Sequence, residues 1–497
     1  MCAVRYLLAQ LSFWHRRARR RPRCRSGHRR TVRALRELCR ALPARNAELY
    51  PVAALDVTRR HVLVGSGVAA LAAAESIRQA DSRAVITMVS AEDVPFYSRP
   101  ALAYLLTNEL PESQLSIRSE REVAALGIDR VTGIAEGLDA AAHELALSGG
   151  RRISYDRLLI ATGAASIQAD FPGAELDGAV HVDGLSEARD FVTRARRARA
   201  AVVVGGGSTA IELVEALHAC GVETHYLMRG SRYWSKVFDA VESAIIEAQL
   251  IEQGVQLHRG CTVREAVGAK GVLTGVNTVD GRHIPCDLLA VAVGIRPRLE
   301  LARAGGVATE RGILTNEYLE TSAADVYAAG DVAQIYDPVT RMAQLDTLWA
   351  SALAQGTTAG LNMSGVRVAH RKRAPMNVTR LGGITVTIVG QVGASDDPDL
   401  LTLTRGQSER WMTDTDSWSV SGARTGDRLR VIVSGRVIVG AVVVGDQRVS
   451  RPLAHLVGEA VDISQLRPML DANPNDAMDL LLSFCDAHVS DRTADHY

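Results

Sequence analysis

The chain makes the same structural statement twice. "VLVGSGVAALAAAE" (62–75) and "VVVGGGSTAIE" (202–212) each run from a β-branched strand through a glycine cluster into a helix of small residues. A further strand follows each helix, "AVITMVS" (84–90) in the first case and "VETHYLM" (222–228) in the second. This context gives a short glycine motif its meaning. The first glycine permits a tight turn, the next lets backbone approach a pyrophosphate, and the helix N-terminus presents unpaired N–H groups to the anion. In the first copy these positions are Gly65 and Gly67, with Ala69 next to them and Ala70 small enough for close helix-on-strand packing. In the second copy they are Gly205 and Gly207.

The repetition continues downstream. "GGRRISYDRLLIATG" (149–163) and "DGRHIPCDLLAVAVG" (280–294) share a turn, a charged strand, an Asp, an apolar strand and a terminal glycine. Gly163 lies 98 residues after Gly65, and Gly294 lies 89 after Gly205. Matched turns with matched sequels predict an α/β chain with two Rossmann-like dinucleotide-binding domains. "VYAAGDVA" (326–333) has no second copy, and its Asp331 ends a short strand where a carboxylate can accept from a ligand's hydroxyls.

Composition narrows the setting. At 497 residues the chain can carry three cores, and a net charge of +1 with 23% charged residues gives no overall bias toward nucleic acid or membrane. The seven cysteines (2, 24, 39, 220, 261, 286 and 485) include no C-x-x-C pair, which argues against a metal site or a dithiol of sequence neighbours. Scattered thiols fit a reducing, cytoplasmic setting. No apolar run approaches the ~18–20 residues of a membrane span. Residues 1–58 differ: "WHRRARRRPRCRSGHRR" (14–30) reads as a nucleic-acid or membrane tail, a transit peptide or an unstructured extension. The last reading is preferred, and the fold is expected to begin at 59.

The ordered set G-S-G-V-A-A, "YDRLLIATG", "GGGSTAIE", "VAVGIRP" and "VYAAGDVA" resembles the FAD/NAD(P)H oxidoreductases with two dinucleotide domains, over about 60–450. The resemblance implies an FAD domain at 59–175 and 297–375 with an NAD(P)H domain at 176–296 inserted in it. A small C-terminal α+β domain follows at 376–490. Carried over, Gly65, Gly67, Ala69, Ala70, Ala135, Thr162, Gly163 and Asp331 become FAD contacts, with Glu92 placed at the adenosine ribose. Gly205, Gly207, Glu212 and Gly294 become nicotinamide-side contacts. Arg229 and Arg232 after the second domain's second strand fit a 2′-phosphate of NADPH or surface charges beside NADH, so both nucleotides stay open. Trp349 is either a ring stacked near the flavin or nicotinamide or a core residue.

Disulfide reductases of this family carry a redox cysteine after the first domain's second strand. "EDVPFYSRPALAYLL" (92–106) has none and resembles instead the P-x-Y-x-R-P segment of rubredoxin, ferredoxin and nitrite reductases. The ferredoxin-reductase subgroup places a lysine where this chain has Tyr104. Arg99 then stands as a fixed cation favouring reduced flavin, and Glu212 positions the nicotinamide side.

After the helix 348–365, "GGITVTIVGQV" and "LRVIVSGRVIVGAVVVGD" read as strands, the latter a hairpin turning at Ser434-Gly435. Helices are expected near 450–471 and 475–487. In relatives such a domain packs on the flavin domain and pairs subunits, which implies a homodimer. The expected activity is hydride uptake from NADH or NADPH by FAD, with electrons passed to rubredoxin, ferredoxin or another iron–sulfur partner. The rivals are an NAD(P)H oxidase, the flavin subunit of a nitrite reductase, and a redox-sensing nucleic-acid-associated flavoprotein resembling apoptosis-inducing factor. Only the Arg-rich N-terminus supports the last, so nucleic acid is not the expected partner.

Overall fold

The computed structural model describes residues 58–494 apart from 117, 338–341, 373, 393–417 and 425–426. The basic stretch 1–57 lies outside the described residues. Arg60–Val64 forms the central strand of a five-stranded parallel sheet, flanked by Val85–Ser90 and Ile128–Thr132 on one side and by Arg157–Ile160 and Val326–Ala328 on the other. The second sheet is built the same way around Ala200–Gly205. Glu223–Met228 and Gln256–Arg259 lie on one side, Leu288–Ala292 and Ala179–Val180 on the other, again all parallel. In each unit a three-stranded antiparallel meander, at 135–154 and at 263–285, comes just before the strand that pairs with the central one from its other side, Arg157–Ile160 or Leu288–Ala292. The duplication read from the sequence is therefore a duplication of topology. It differs at the edge strand, which comes last in the first unit and first in the second.

The run Val68–Ala80, with six alanines among its thirteen residues, forms a helix because alanine is the best helix former and sacrifices no side-chain entropy. Its smallness also sets the packing. The helix Trp349–Met363 crosses it so closely that a Cβ on Gly356 would overlap the Ala69 carbonyl, and one on Gly360 the Ala73 carbonyl. Glycines four apart meet alanines four apart.

The chain passes between the two units through a two-stranded ribbon, Ala164–Ser166 against Ile295–Pro297. Ile167 N–H donates to Gly294 O at 2.9 Å and Arg298 N–H to Gly163 O at 3.0 Å, so exit and return are bonded side by side.

The C-terminal region is a five-stranded antiparallel sheet in the order Met376–Leu381, Ile384–Gly390, Val437–Val444, Asp427–Ser434, Trp418–Arg424. The long hairpin turns one residue later than expected, at Gly435-Arg436, where Gly435 takes a φ of 59°. The helical region after it is broken into Ser450–Gly458, Arg467–Ala472 and Ala477–Ala494. One face of the sheet packs on these helices through Val431, Val433, Val443, Leu453 and Leu456. The other face packs on both nucleotide units. Leu381, Val386, Ile388, Ile432 and Val444 share one core with Tyr226, Phe238, Ile246 and Leu250 of the second nucleotide unit, and with Leu102 and Leu106. The apolar alternation of these strands needs two partners, and the second unit supplies one of them.

Candidate functional site

Both glycine turns open onto one cleft of about 1500 Å³. At the first turn Gly65 has a φ of 120°, and a Cβ there would overlap the Ala161 carbonyl, so a side chain is barred on both counts. Gly67, which precedes the helix as its N-cap, is glycine for another reason. A Cβ built on it meets no protein atom within 4 Å, and the helix N-terminus has no side-chain cap. The second turn repeats the pattern. Gly205 is crowded by the Ala292 carbonyl, while Gly206 and Gly207 face open space before the uncapped helix Ser208–Ala219. Two uncapped helix N-termini, with backbone laid bare by glycine, are cradles that fit pyrophosphates.

The residues singled out from the sequence nearly all reach this cleft. Its walls include Gly65, Gly67, Ala69, Glu92, Arg99, Ala135, Thr162 and Gly163 from the first unit, joined by Asp331 and Trp349. Gly205, Gly207, Glu212, Arg229 and Gly294 come from the second. Ala70 does not line it. Its methyl is fully buried, where packing is the role the structure leaves it.

Glu92 reaches the cleft with its carboxylate already engaged, which counts against a ribose role. Tyr97 donates its hydroxyl to Glu92 Oε2 at 3.0 Å, and Arg99 approaches Oε1 at 3.4 Å. The end of the strand is held by Ser90, whose hydroxyl lies 2.9 Å from that of Ser66. Arg99 also donates to the Asp183 carbonyl, and Tyr97 accepts from Leu185 N–H at 3.2 Å. Burial, with Glu92 beside it, pushes the Tyr97 hydroxyl up to about 12, so it remains a donor at all ordinary pH. Arg99 is thus fixed between the first sheet's strand end and the segment that starts the second unit.

Asp331 follows Gly330, whose φ of 82° turns the chain and whose N–H is held by the buried Gln355 at 2.6 Å. Burial pushes the Asp331 carboxyl up to about 7, with Arg99 drawing it down and Asp346 adding to the rise. Glu212 is likewise pushed up to about 7 by burial, and the nearby Glu215 contributes. Glu212 has no hydrogen bond or ion pair among the described residues.

These shifts have a defined sign. A carboxyl raised in the fold keeps a proton that the unfolded chain has lost, so its contribution to stability disappears as pH rises through the folded value. Asp331→Asn, which has no proton to lose, is expected to melt higher than the parent at pH 8 when both are stripped of flavin, and no higher near pH 4. Flavin-free melting curves at the two pH values check this. A constant difference would show that the Asp331 carboxylate bears no burial cost.

The sequence reading missed several cleft residues. Arg298 bridges the inter-unit ribbon, donating to the Thr162 carbonyl at 3.3 Å and pairing with Asp183 at 3.5 Å. Asn377, Val378, Thr379 and Arg380 belong to the C-terminal sheet, and no motif marks them. Among the described cysteines only Cys261 touches the cleft. It follows the strand Gln256–Arg259 on the second unit's side, and burial raises its thiol pKa.

The comparisons agree with this geometry. Residues 59–356 match the family described as pyridine nucleotide-disulphide oxidoreductase. The nitric oxide reductase FlRd-NAD(+) reductase of Escherichia coli O7:K1 (strain IAI39 / ExPEC) is 28% identical over 379 residues, spanning 75% of this chain and 94% of that protein. An NADH oxidase of Enterococcus faecalis (strain ATCC 700802 / V583) is 28% identical over 277 residues, 56% of this chain and 59% of that one. In fold, putidaredoxin reductase from its covalent complex with putidaredoxin superposes with a TM-score of 0.75 at 20% identity, covering 87% of this chain and all of that one. With more than half its length matched and both cradles in place, the chain belongs to the pyridine nucleotide-disulphide oxidoreductase family and is an oxidoreductase built to hold FAD and a nicotinamide dinucleotide.

Proposed function

We propose that the protein is an NADH- or NADPH-dependent reductase that hands electrons to a small iron–sulfur or rubredoxin-like carrier protein. FAD supplies the chemistry that joins a two-electron donor to a one-electron acceptor. One observation carries this reading: two pyrophosphate cradles share a cleft whose first-unit wall, 92–106 included, has no cysteine. A thiol route out of the flavin needs a thiolate in contact with it, and this wall provides none.

The chain's own residues supply placement. The helix Val68–Ala80 and the turn at Gly65 receive the FAD pyrophosphate, and Asp331 accepts from the polyol chain. Arg99 is the fixed cation of the flavin side. The helix Ser208–Ala219 receives the second pyrophosphate, with Glu212 facing the nicotinamide and Arg229 near the adenosine end. Domain boundaries near 175, 296 and 375 go with this assignment. The E. coli relative's name pairs FlRd with NAD(+), which supports a redox-protein partner and favours NADH of the two nucleotides.

Anaerobic titration of the purified yellow protein tests the reading. NADH or NADPH is expected to bleach the flavin stoichiometrically, and a rubredoxin or ferredoxin to restore the colour without oxygen. Recovery only on admitting air would favour the oxidase activity named for the Enterococcus relative.

A further inference from the structure

The C-terminal sheet contributes a cation to the cleft. Its first hairpin, Met376–Leu381 with Ile384–Gly390, turns through Gly382 and Gly383, both at positive φ (61° and 85°). The tip lies between two helices of the second nucleotide unit. Gly383 N–H donates to Glu215 Oε1 at 2.9 Å, and Gln253 donates to the Gly382 carbonyl at 3.1 Å. One residue before the turn's flank, Arg380 forks onto Glu109, with Nη1 2.9 Å from Oε2 and Nη2 bonded to Oε1. Its Nε lies 3.7 Å from Glu215 Oε2, and its guanidinium stands 5.8 Å from the Tyr104 ring centre. All three ionic side chains are nearly buried, at 16%, 17% and 11% exposure for Arg380, Glu109 and Glu215.

Glu215 lies one helical turn beyond Glu212 on Ser208–Ala219, so both point toward the same wall. Glu215 has the Gly383 N–H and Arg380, whereas Glu212 has neither. The other groups close to this pair are Tyr104 and the buried hydroxyl of Tyr233, which has no hydrogen-bond partner; Tyr226 lies behind it. Glu109 and Glu215 therefore share the Arg380 guanidinium, and Glu212 lies outside that group.

We propose that Arg380 is a positioning residue of the hydride-entry side: by engaging Glu109 and Glu215, it leaves Glu212 as the unpaired carboxyl facing the cleft. Burial favours a proton on Glu212, to which the Glu215 charge adds; burial raises Glu215 as well, but there Arg380 and the Gly383 N–H oppose the rise. The C-terminal sheet thereby sets the charge met by an incoming nicotinamide, although it contributes no nucleotide-binding motif. The role of that side rests on the reading given under Proposed function; the charge assignment does not.

Infrared difference titration of the oxidised flavoprotein, without nucleotide, reads the proton directly. The wild type is expected to show protonated carboxyl bands near pH 6, one of which Glu212→Gln removes and Asp331→Asn does not. Arg380→Met is expected to add carboxyl absorption near pH 6, at least part of which Glu215→Gln removes again, because Glu215 loses the cation that opposed its rise. Arg380→Lys, which retains the charge, is expected to show the wild-type pattern. In stopped-flow reduction by NADH, Arg380→Met should displace the pH profile by about one unit or more, and Arg380→Lys should not. An Arg380→Met protein that binds flavin, gains no carboxyl band and keeps the wild-type profile overturns the proposal. If Arg380→Met does not fold, Glu215→Gln alone decides, since removing its negative charge should lower the titration midpoint of the Glu212 band. An unchanged midpoint overturns the proposal. Failure of NADH to bleach the flavin would overturn the functional reading while leaving the infrared result to judge Arg380.

Discussion

Gly65→Ala is expected to yield a colourless protein. The substitution asks an L-residue to hold a φ of 120° and puts its methyl into the Ala161 carbonyl. The backbone conformation alone costs about 1–3 kcal/mol. The overlap then forces apart the first and fourth strands of the sheet, Arg60–Val64 and Arg157–Ile160, whose ends form the turn's floor. Flavin-to-protein absorbance ratio and the melting temperature measure both consequences. A yellow Gly65→Ala protein of parental stability would remove the first turn from the flavin site.

The companion substitution separates the two cradles. A Cβ on Gly205 would overlap the Ala292 carbonyl and lie 2.9 Å from the Ala210 Cβ, so Gly205→Ala disturbs the second turn as Gly65→Ala disturbs the first. The outcome differs because the second unit joins the first through the ribbon and does not contribute a strand to its sheet. Gly205→Ala is expected to stay yellow and lose NADH-driven reduction, with kcat/KM down by roughly a hundredfold or more, about 2.7 kcal/mol of transition-state stabilisation. Dithionite should still bleach it. If Gly205→Ala lost flavin while Gly65→Ala kept it, the order of the two sites would be reversed.

Glycine turns, β-branched strands and the terminal glycines at 163 and 294 made both parallel sheets legible, because each feature expresses a local backbone requirement. Thr162, Asp331 and Glu212 were legible for the same reason: each sits at a fixed offset from a turn or a strand end. The bonds that engage Glu92 were not legible, because spacing shows where a side chain starts and not what it bonds, and Tyr97 lies five residues away. Arg380 carried no signal at all. Its place in the cleft comes from the sheet at 376–444 packing on the second unit, a match between two apolar faces distant in sequence. The burial of Ser90 and the pairing of Arg298 with Asp183 are likewise products of tertiary contact.

The ribbon of Ala164–Ser166 and Ile295–Pro297 has a consequence for modular exchange. Since the chain leaves and re-enters the first unit through hydrogen-bonded neighbours, residues 167–294 form a cassette whose ends already meet. A short splice could replace it without lengthening any loop of the host. The C-terminal sheet restricts the choice of donor, because Arg428 and Arg430 pair with Asp239 and the fully buried Glu242 of that cassette. A foreign cassette lacking those acids would remove the ion pairs to Asp239 and Glu242 from two nearly buried arginines, a severe penalty. An exchange of residues 167–294 therefore has to bring along the sheet that grips them.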